Sequence, residues 1–410
     1  MSHKPIALLA LVVAAALLFP AMTVMGIPTY GPPDVKLPYG AESPETGFSS
    51  EYDLTPQQIR DRIQNMTEFA QEKRMFGMFD YDDGVAEGHF VKFSYNETTG
   101  ELTNYSVRTG EEYDKVFQSV IMNAFAPDDY RAAGSVFNQW NDTHRMVVHN
   151  NPTAMINGHS NTTSTVASFL LNDSMEVEEI DMDAGDRKAV RIHADGLNAS
   201  ISVANGTIDI DNSTDDVYVN VTANEGMLLF RMMPFFAGDE VGPMLSQAVN
   251  EGKVSNELAV LARDGNTLSV ENVYDPRYSM EMVEAGKDKI SLELSSEDPE
   301  GRVMIIVFDD ETLNTTPGIS VKLNDEEITE ADIEDVLAST GNATTDSVYA
   351  LIEENGTQYL VAYIPHFSTQ TLDIETVSVD EDDDGYLMLV AVAAIVVVAA
   401  VLFLIKRGSA

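Results

Sequence analysis

The sequence predicts an α+β chain rich in β-structure: antiparallel sheets packed as sandwiches, a few helices, and one membrane-spanning helix at the C-terminal end. Three observations carry that expectation. Apolar residues recur with period two over residues 165–231, the pattern of strands with one wetted face. Helix-start signatures are few and short. Residues 386–405 contain no charge and, at about 1.5 Å per residue, make a helix about 30 Å long, the thickness of a bilayer's hydrocarbon core.

Taken in order, residues 1–26 read as an export signal. Lys4 precedes an uncharged apolar run over residues 6–19, Pro20 ends it, and Gly26 closes a small-residue cleavage site. Residues 27–50 form an extended Pro/Gly segment. An N-terminal α+β ectodomain is expected over residues 51–236. Thr55-Pro56-Gln57-Gln58 opens its first helix, with Ile59, Ile63, Met66 and Ala70 on one face. Residues 90–95 and 102–107 form a hairpin around Thr98-Thr99-Gly100. Thr109-Gly110-Glu111-Glu112 reads as a capping box for a helix carrying Tyr113, Val116, Val120, Ile121 and Ala124, and Pro127 marks its exit. Residues 128–164 show no clear period. Asn205-Gly206 lies between two alternating runs, Ile201/Val203 and Ile208/Ile210, and so predicts a tight hairpin. Val217, Val219 and Val221 supply the next strand.

Residues 237–265 read as a helical segment in two pieces, broken near Gly252 and recapped at Ser255. A C-terminal sandwich-like domain is expected over residues 266–378. Its central strand is the apolar run 302–308, and its short helix starts at Thr329, stops at Gly341 and turns Ile333, Val336 and Leu337 inward. Asn355-Gly356 makes another hairpin. An acidic tether, residues 379–385, then leads to the membrane helix. Tyr386 sits at the outer interface, Ile405 ends the span, and the basic tail 406–410 with Lys406 and Arg407 stays inside.

Every one of the 67 acidic side chains lies between Asp34 and Asp384, against 21 basic ones once Lys4, Lys406 and Arg407 are set aside from the 24, a formal charge of −46. Such a body repels itself in dilute salt and is relieved at molar salt, where the Debye length is about 3 Å. It offers no basic patch for nucleic acid. The chain has no cysteine, which excludes disulfides and thiolate chemistry.

Asn-x-Ser/Thr sequons stand at Asn65, Asn96, Asn104, Asn141, Asn161, Asn172, Asn198, Asn205, Asn212, Asn220, Asn314, Asn342 and Asn355, all within the expected outside segment, and several are expected to carry glycans. No phosphate loop, nucleophile elbow or zinc-protease motif occurs, and no cofactor is called for. His144, His149 and His159 are read as solvated loop residues, with a metal or acid–base site as the sharper alternative. His366 is read as a structural donor. Two acidic windows are the candidates for calcium or another cation: Asp380, Asp382 and Asp384, which lack the closing glutamate of a calcium loop, and Glu179, Asp181, Asp183 and Asp186. Met227, Leu228, Leu229, Phe230, Met232, Met233, Phe235 and Phe236 surround a single charge, Arg231. They read either as a buried strand or as an apolar contact surface for a partner or a membrane.

Two local resemblances follow from these residues. Tyr363-Ile364-Pro365-His366-Phe367-Ser368-Thr369-Gln370-Thr371-Leu372-Asp373-Ile374 resembles the closing strands of β-sandwich domains in prokaryotic surface and adhesin-like proteins. The tail resembles the C-terminal anchors of haloarchaeal and methanogen surface glycoproteins, with Asp384-Gly385-Tyr386 standing where those anchors often carry Pro-Gly-Phe. The resemblance implies an archaeal cell surface and transfers no catalytic residue. The expectation is therefore a non-enzymatic, single-pass surface glycoprotein of a salt-adapted archaeon, with other envelope proteins or glycans as partners. The alternatives are an archaeal viral envelope spike or fusion protein using residues 227–236, and an anchored hydrolase or ligand receptor using the histidine region.

Overall fold

A computed structural model describes residues 22–24 and 56–377, the latter with short gaps at 161–163, 181, 183–186, 225–226, 233–237, 264–265, 297–299, 341–345, 355 and 368. The segments expected to be the export signal (but for residues 22–24), the Pro/Gly segment, the tether, the membrane helix and the basic tail lie outside the described residues. No helix among the described residues is long and apolar enough to cross a membrane.

The order of elements begins β1 (Met22–Val24), α1 (Pro56–Glu72), β2 (Asp80–Asp82), β3 (Val85–Glu87), β4 (Val91–Tyr95), β5 (Leu102–Arg108), β6 (Tyr113–Met122), β7 (Asp129–Ala133), β8 (Val136–Trp140), β9 (His144–His149) and β10 (Ile156–Ser160). It continues with β11 (Thr165–Leu171), β12 (Glu176–Ile180), β13 (Arg187–Ala194), β14 (Leu197–Ala204), β15 (Gly206–Asp211), β16 (Tyr218–Ala223), β17 (Met227–Met232) and α2 (Gly238–Asn250). Then come β18 (Val254–Arg263), β19 (Asn266–Val273), β20 (Tyr278–Ala285), β21 (Lys289–Ser296), β22 (Arg302–Asp309), β23 (Ile319–Leu323), β24 (Glu326–Glu327), β25 (Thr329–Glu330), α3 (Ile333–Ser339), β26 (Val348–Glu354), β27 (Thr357–Ile364) and β28 (Gln370–Thr376).

The strands assemble into four sheets. Sheet I has the order β15-β16-β11-β6-β5-β4-β3-β2, sheet II β12-β13-β14-β17-β10-β9-β8-β7, sheet III β1-β19-β18-β22-β27-β26-β25, and sheet IV β20-β21-β28-β23-β24. Pairing is antiparallel except for β1 with β19, β18 with β22 and β25 with β26. The β-rich expectation with antiparallel sheets holds.

Side-chain alternation stacks these sheets in one line. Phe93, Tyr105, Phe117 and Phe169 of sheet I meet Phe137, Val148, Ile201 and Phe230 of sheet II in a first core. Sheet III is buried on both faces. Val303, Ile305 and Val307 of β22 face Leu229 of sheet II across a layer built by Met66 and Ala70 of α1, Leu245 and Val249 of α2, and Val336 and Leu337 of α3. Met304, Ile306 and Phe308 of the same strand face Leu292, Leu372 and Ile374 of sheet IV. The run 302–308 is thus the central strand its composition predicts. Both hairpins expected at Thr98-Thr99-Gly100 and Asn355-Gly356 form, with Tyr95 opposite Leu102 and Glu354 opposite Thr357.

Five expectations are corrected. Residues 113–122 are the ten-residue strand β6, not a helix. Residues 128–164 hold the strands β7 to β10. The second half of the expected helical segment is β18, buried along almost its whole length. The short helix α3 starts after Asp332, while Thr329 belongs to β25. Asn205-Gly206 does not close a hairpin. β14 pairs with β13 and β17 in sheet II, whereas β15 pairs with β16 in sheet I, so the dipeptide carries the chain from one sheet to the other. Asn205 adopts φ 54°, as a sharp reversal needs, and the reversal is fixed by Asn205 Nδ2 donating to the Asn224 carbonyl at 2.9 Å.

Candidate functional site: the sequon surface and the joint between sandwiches

No described sequon asparagine is buried, whereas asparagines outside sequons occur both in the core and at the surface. Ten sequon asparagines are described; Asn65, Asn96, Asn104, Asn205, Asn212 and Asn314 are exposed, and Asn141, Asn172, Asn198 and Asn220 are half-buried. The buried asparagines are Asn150, Asn151, Asn157, Asn250, Asn256 and Asn272, and none begins a sequon. The nearest approach is Asn151-Pro152-Thr153, whose proline breaks the motif. Asn161, Asn342 and Asn355 lie outside the described residues.

Several sequons are preshaped by their own side chains. Asn96 Oδ1 accepts from the Thr98 amide at 2.9 Å, Asn141 Oδ1 from the Thr143 amide at 2.9 Å, and Asn314 Oδ1 from the Thr316 amide at 3.2 Å. These Asx turns bring the hydroxyl residue back beside the amide that would receive a sugar. Sheet I carries Asn104 and Asn220 on its strands, whereas no strand of sheet IV contains a sequon.

The apolar stretch 227–236 divides too. Met227, Leu228, Leu229, Phe230, Arg231 and Met232 form β17, buried throughout in the middle of sheet II. Leu228, Phe230 and Met232 enter the first core while Leu229 enters the second. This corrects the contact-surface expectation for these residues: a central strand with a core on each face has no free side. Met233, Phe235 and Phe236 lie outside the described residues.

His144, His149 and His159 are not solvated loop residues. His144 and His149 lie on β9 at positions of opposite parity, so they face opposite sides of the sheet, and His159 pairs with Arg145 on β10. Burial depresses all three. His149 falls to about 3 and His159 to about 4, each also opposed by the Arg145 charge, so both are neutral imidazoles at pH 7. His366 is exposed, and next to it Phe367 packs edge-on against Tyr278 at 4.8 Å. Among the described residues no three His, Asp or Glu side chains are placed to hold a metal ion. Asp181, Asp183, Asp186, Asp380, Asp382 and Asp384 lie outside them.

What sequence reasoning missed is the polar joint between sheets II and III. Arg231 is 3% exposed; its Nη1 donates to Ser246 Oγ of α2 at 2.9 Å and its Nε to the Tyr274 hydroxyl at 3.1 Å. Tyr274 in turn donates to Glu257 of β18, whose carboxylate lies 3.8 Å from Arg231 Nη2. Asn151 Nδ2 donates to Asn272 Oδ1 at 2.7 Å, and Asn157 Nδ2 to the Val273 carbonyl at 2.9 Å. On the opposite face of sheet III, toward sheet IV, Glu271 accepts from Asn256 Nδ2 at 2.6 Å, and burial raises its carboxyl to about 7 against the pull of its hydrogen bonds. The one signal in the sequence was a lone arginine in the otherwise apolar ten-residue stretch 227–236, which demands a buried partner.

A MAST domain model matches residues 240–384, which takes in most of α2 and all of β18 to β28. No curated protein matches the chain. Among solved structures, a mutant of the glycoside hydrolase family 81 enzyme from Clostridium thermocellum is similar at 7% identity and a TM-score of 0.29, over 72% of this chain and 37% of that one. An active YidC insertase is similar at 9% identity and a TM-score of 0.18, over 46% of this chain and 50% of that one. This chain therefore spans half or less of either protein's length, and at these scores neither likeness carries an argument about fold or activity.

Proposed function

We propose that this chain is a non-enzymatic, single-pass surface glycoprotein of a salt-adapted archaeon, with a structural or adhesive role at the cell envelope. The observation that carries the reading is the placement of the asparagines: none of the ten described sequon asparagines is buried, and every buried asparagine lacks the motif. A glycan acceptor must stay out of the core to meet its transferase, and these do. The charge of the exported part supports a saline exterior. The uncharged residues 386–405 and the basic pair after them supply the anchor.

Expression in a haloarchaeal host tests this directly. Mass spectrometry of tryptic peptides should find hexose-bearing Asn96, Asn141 or Asn314, and protease added to intact cells should remove residues 27–384 while leaving a membrane-bound stub. An unmodified mass together with protection from the protease would overturn the reading. Substrate turnover abolished by His144→Ala or His149→Ala would instead favour the anchored hydrolase.

A further inference from the structure

Strand β16 of sheet I reads Tyr218-Val219-Asn220-Val221-Thr222-Ala223. Val219 and Val221 are fully buried in the first core. Side chains of a strand alternate between its faces, so Tyr218, Asn220 and Thr222 stand together on the outer face, and all three are half-buried. Sheet I ends the stack of four, so among the described residues no sheet covers that face.

Three observations set Asn220 apart. Of the thirteen sequons, it alone follows a Phe, Tyr or Trp by two positions. On a strand that spacing places ring and amide side by side, about 7 Å apart. Its surroundings on the outer face are apolar: Leu170 lies opposite Tyr218, Val166 opposite Thr222, and Ile121 opposite Ser168, each half-buried. Scattered apolar residues at a surface mean nothing by themselves; here an attachment point for sugar stands in their midst. Finally, the amide is held. Ser168 Oγ donates to Asn220 Oδ1 at 2.7 Å, so the carbonyl end of the amide is turned toward β11. On the other side runs the edge strand β15, with exposed Asp209 opposite Asn220 and exposed Asp211 opposite Tyr218.

We infer that a sugar carried by Asn220 packs on the Tyr218 ring and roofs this part of sheet I, which makes it a structural glycan. The inference rests on the surface-glycoprotein reading above. A pyranose offers an apolar face of C–H bonds and a rim of hydroxyls. The Tyr218 ring and Leu170 suit the face, and the Asp209 and Asp211 carboxylates accept from the rim. The covalent link spares the contact the cost of bringing two bodies together, so a weak interaction suffices. Neither contact depends on long-range charge, so molar salt leaves it intact.

The test uses the full chain from a haloarchaeal host, in detergent and molar KCl. Thr222→Ala removes the sequon and keeps Asn220, and peptide masses report the sugar. In the parent, Thr222→Ala should lower the thermal midpoint by about 2 °C, the order expected of one aromatic contact in a body of this size. In a Tyr218→Ala background the same change should lower it by less than half as much. In a Tyr218→Phe background, which keeps the ring, the full loss should return. Tetranitromethane should nitrate Tyr218 several-fold more slowly in the parent than in Thr222→Ala. Additive losses of midpoint, or equal nitration with and without the sugar, would overturn the inference. Sugar at Asn96, Asn141 or Asn314 with none at Asn220 sinks this inference alone. A chain bare at every sequon sinks the surface-glycoprotein reading with it.

Discussion

Arg231 lies between two sheets with its guanidinium shared among Ser246, Tyr274 and Glu257. Removing it leaves Glu257 buried with a charge and no counter-ion. Arg231→Met is therefore expected to cost about 3–5 kcal/mol, while Arg231→Met combined with Glu257→Leu should cost much less, because the stranded charge leaves too. Urea unfolding of the two variants measures the difference. Glu271 makes a prediction about pH. Burial raises its carboxyl to about 7, so the folded chain keeps a proton that the unfolded chain releases above the ordinary glutamate value of 4.5. Its contribution to stability is complete below that lower value, declines as pH rises toward the upper one by at most about 1.4 kcal/mol per pH unit, and is flat beyond. Glu271→Gln should match the parent near pH 4 and be the more stable protein near pH 8. His149 and His159 act with the opposite sign, losing stability as pH falls below 6.5, but they are common to both proteins and cancel in the comparison.

Among the elements, β17 shows how position outweighs composition. Phe230 is fully buried, with its ring edge-on to Phe117 at 4.9 Å and to Tyr105 at 5.7 Å. Phe230→Ala should cost about 3–5 kcal/mol, readable as a lower unfolding midpoint with an unchanged far-ultraviolet spectrum at low temperature. The strands that the sequence concealed share a physical reason. In β6 the buried residues are Val116, Phe117, Val120 and Met122, because irregular pairing at Tyr105/Ser106 and Leu170/Leu171 breaks the two-residue alternation and leaves a spacing that imitates a helix face. β18 has a core on each side and so no alternation to read. Turn chemistry at Asn205-Gly206 was legible as a reversal, but local residues do not say which sheet receives the chain afterwards. At Asn355-Gly356 the flanking strands β26 and β27 pair with each other, so there pattern and partner coincided. Of the candidate site, the sequons were visible as motifs. The joint was not, because Arg231, Ser246, Glu257 and Tyr274 are brought together only by the packing of sheet II and α2 on sheet III.

At the scale of the whole molecule, charge governs. Carboxylates line the exposed sheet edges: Asp209 and Asp211 on β15, Glu176, Glu178 and Glu179 on β12, Glu281 and Glu284 on β20, and Glu326 and Glu327 on β24. They deny a neighbouring chain a neutral strand to pair with. The same carboxylates repel one another within the fold. The thermal midpoint is expected to climb steadily from about 0.1 M to molar KCl as the screening length shrinks, and light scattering should show the monodisperse state persisting through that range.

Pro152 looks like an ordinary loop residue until it is set beside its neighbours. It interrupts the Asn-x-Ser/Thr triplet that Asn151, an asparagine wedged into the joint, would otherwise begin. Pro152→Ala turns that safeguard into a clock. If the transferase reaches the polypeptide before it closes, the variant should emerge carrying one extra sugar chain and fail to mature. If it arrives only after closure, the variant should emerge with the parent's glycan count. The order of two events in the life of the molecule is thereby readable from one peptide mass.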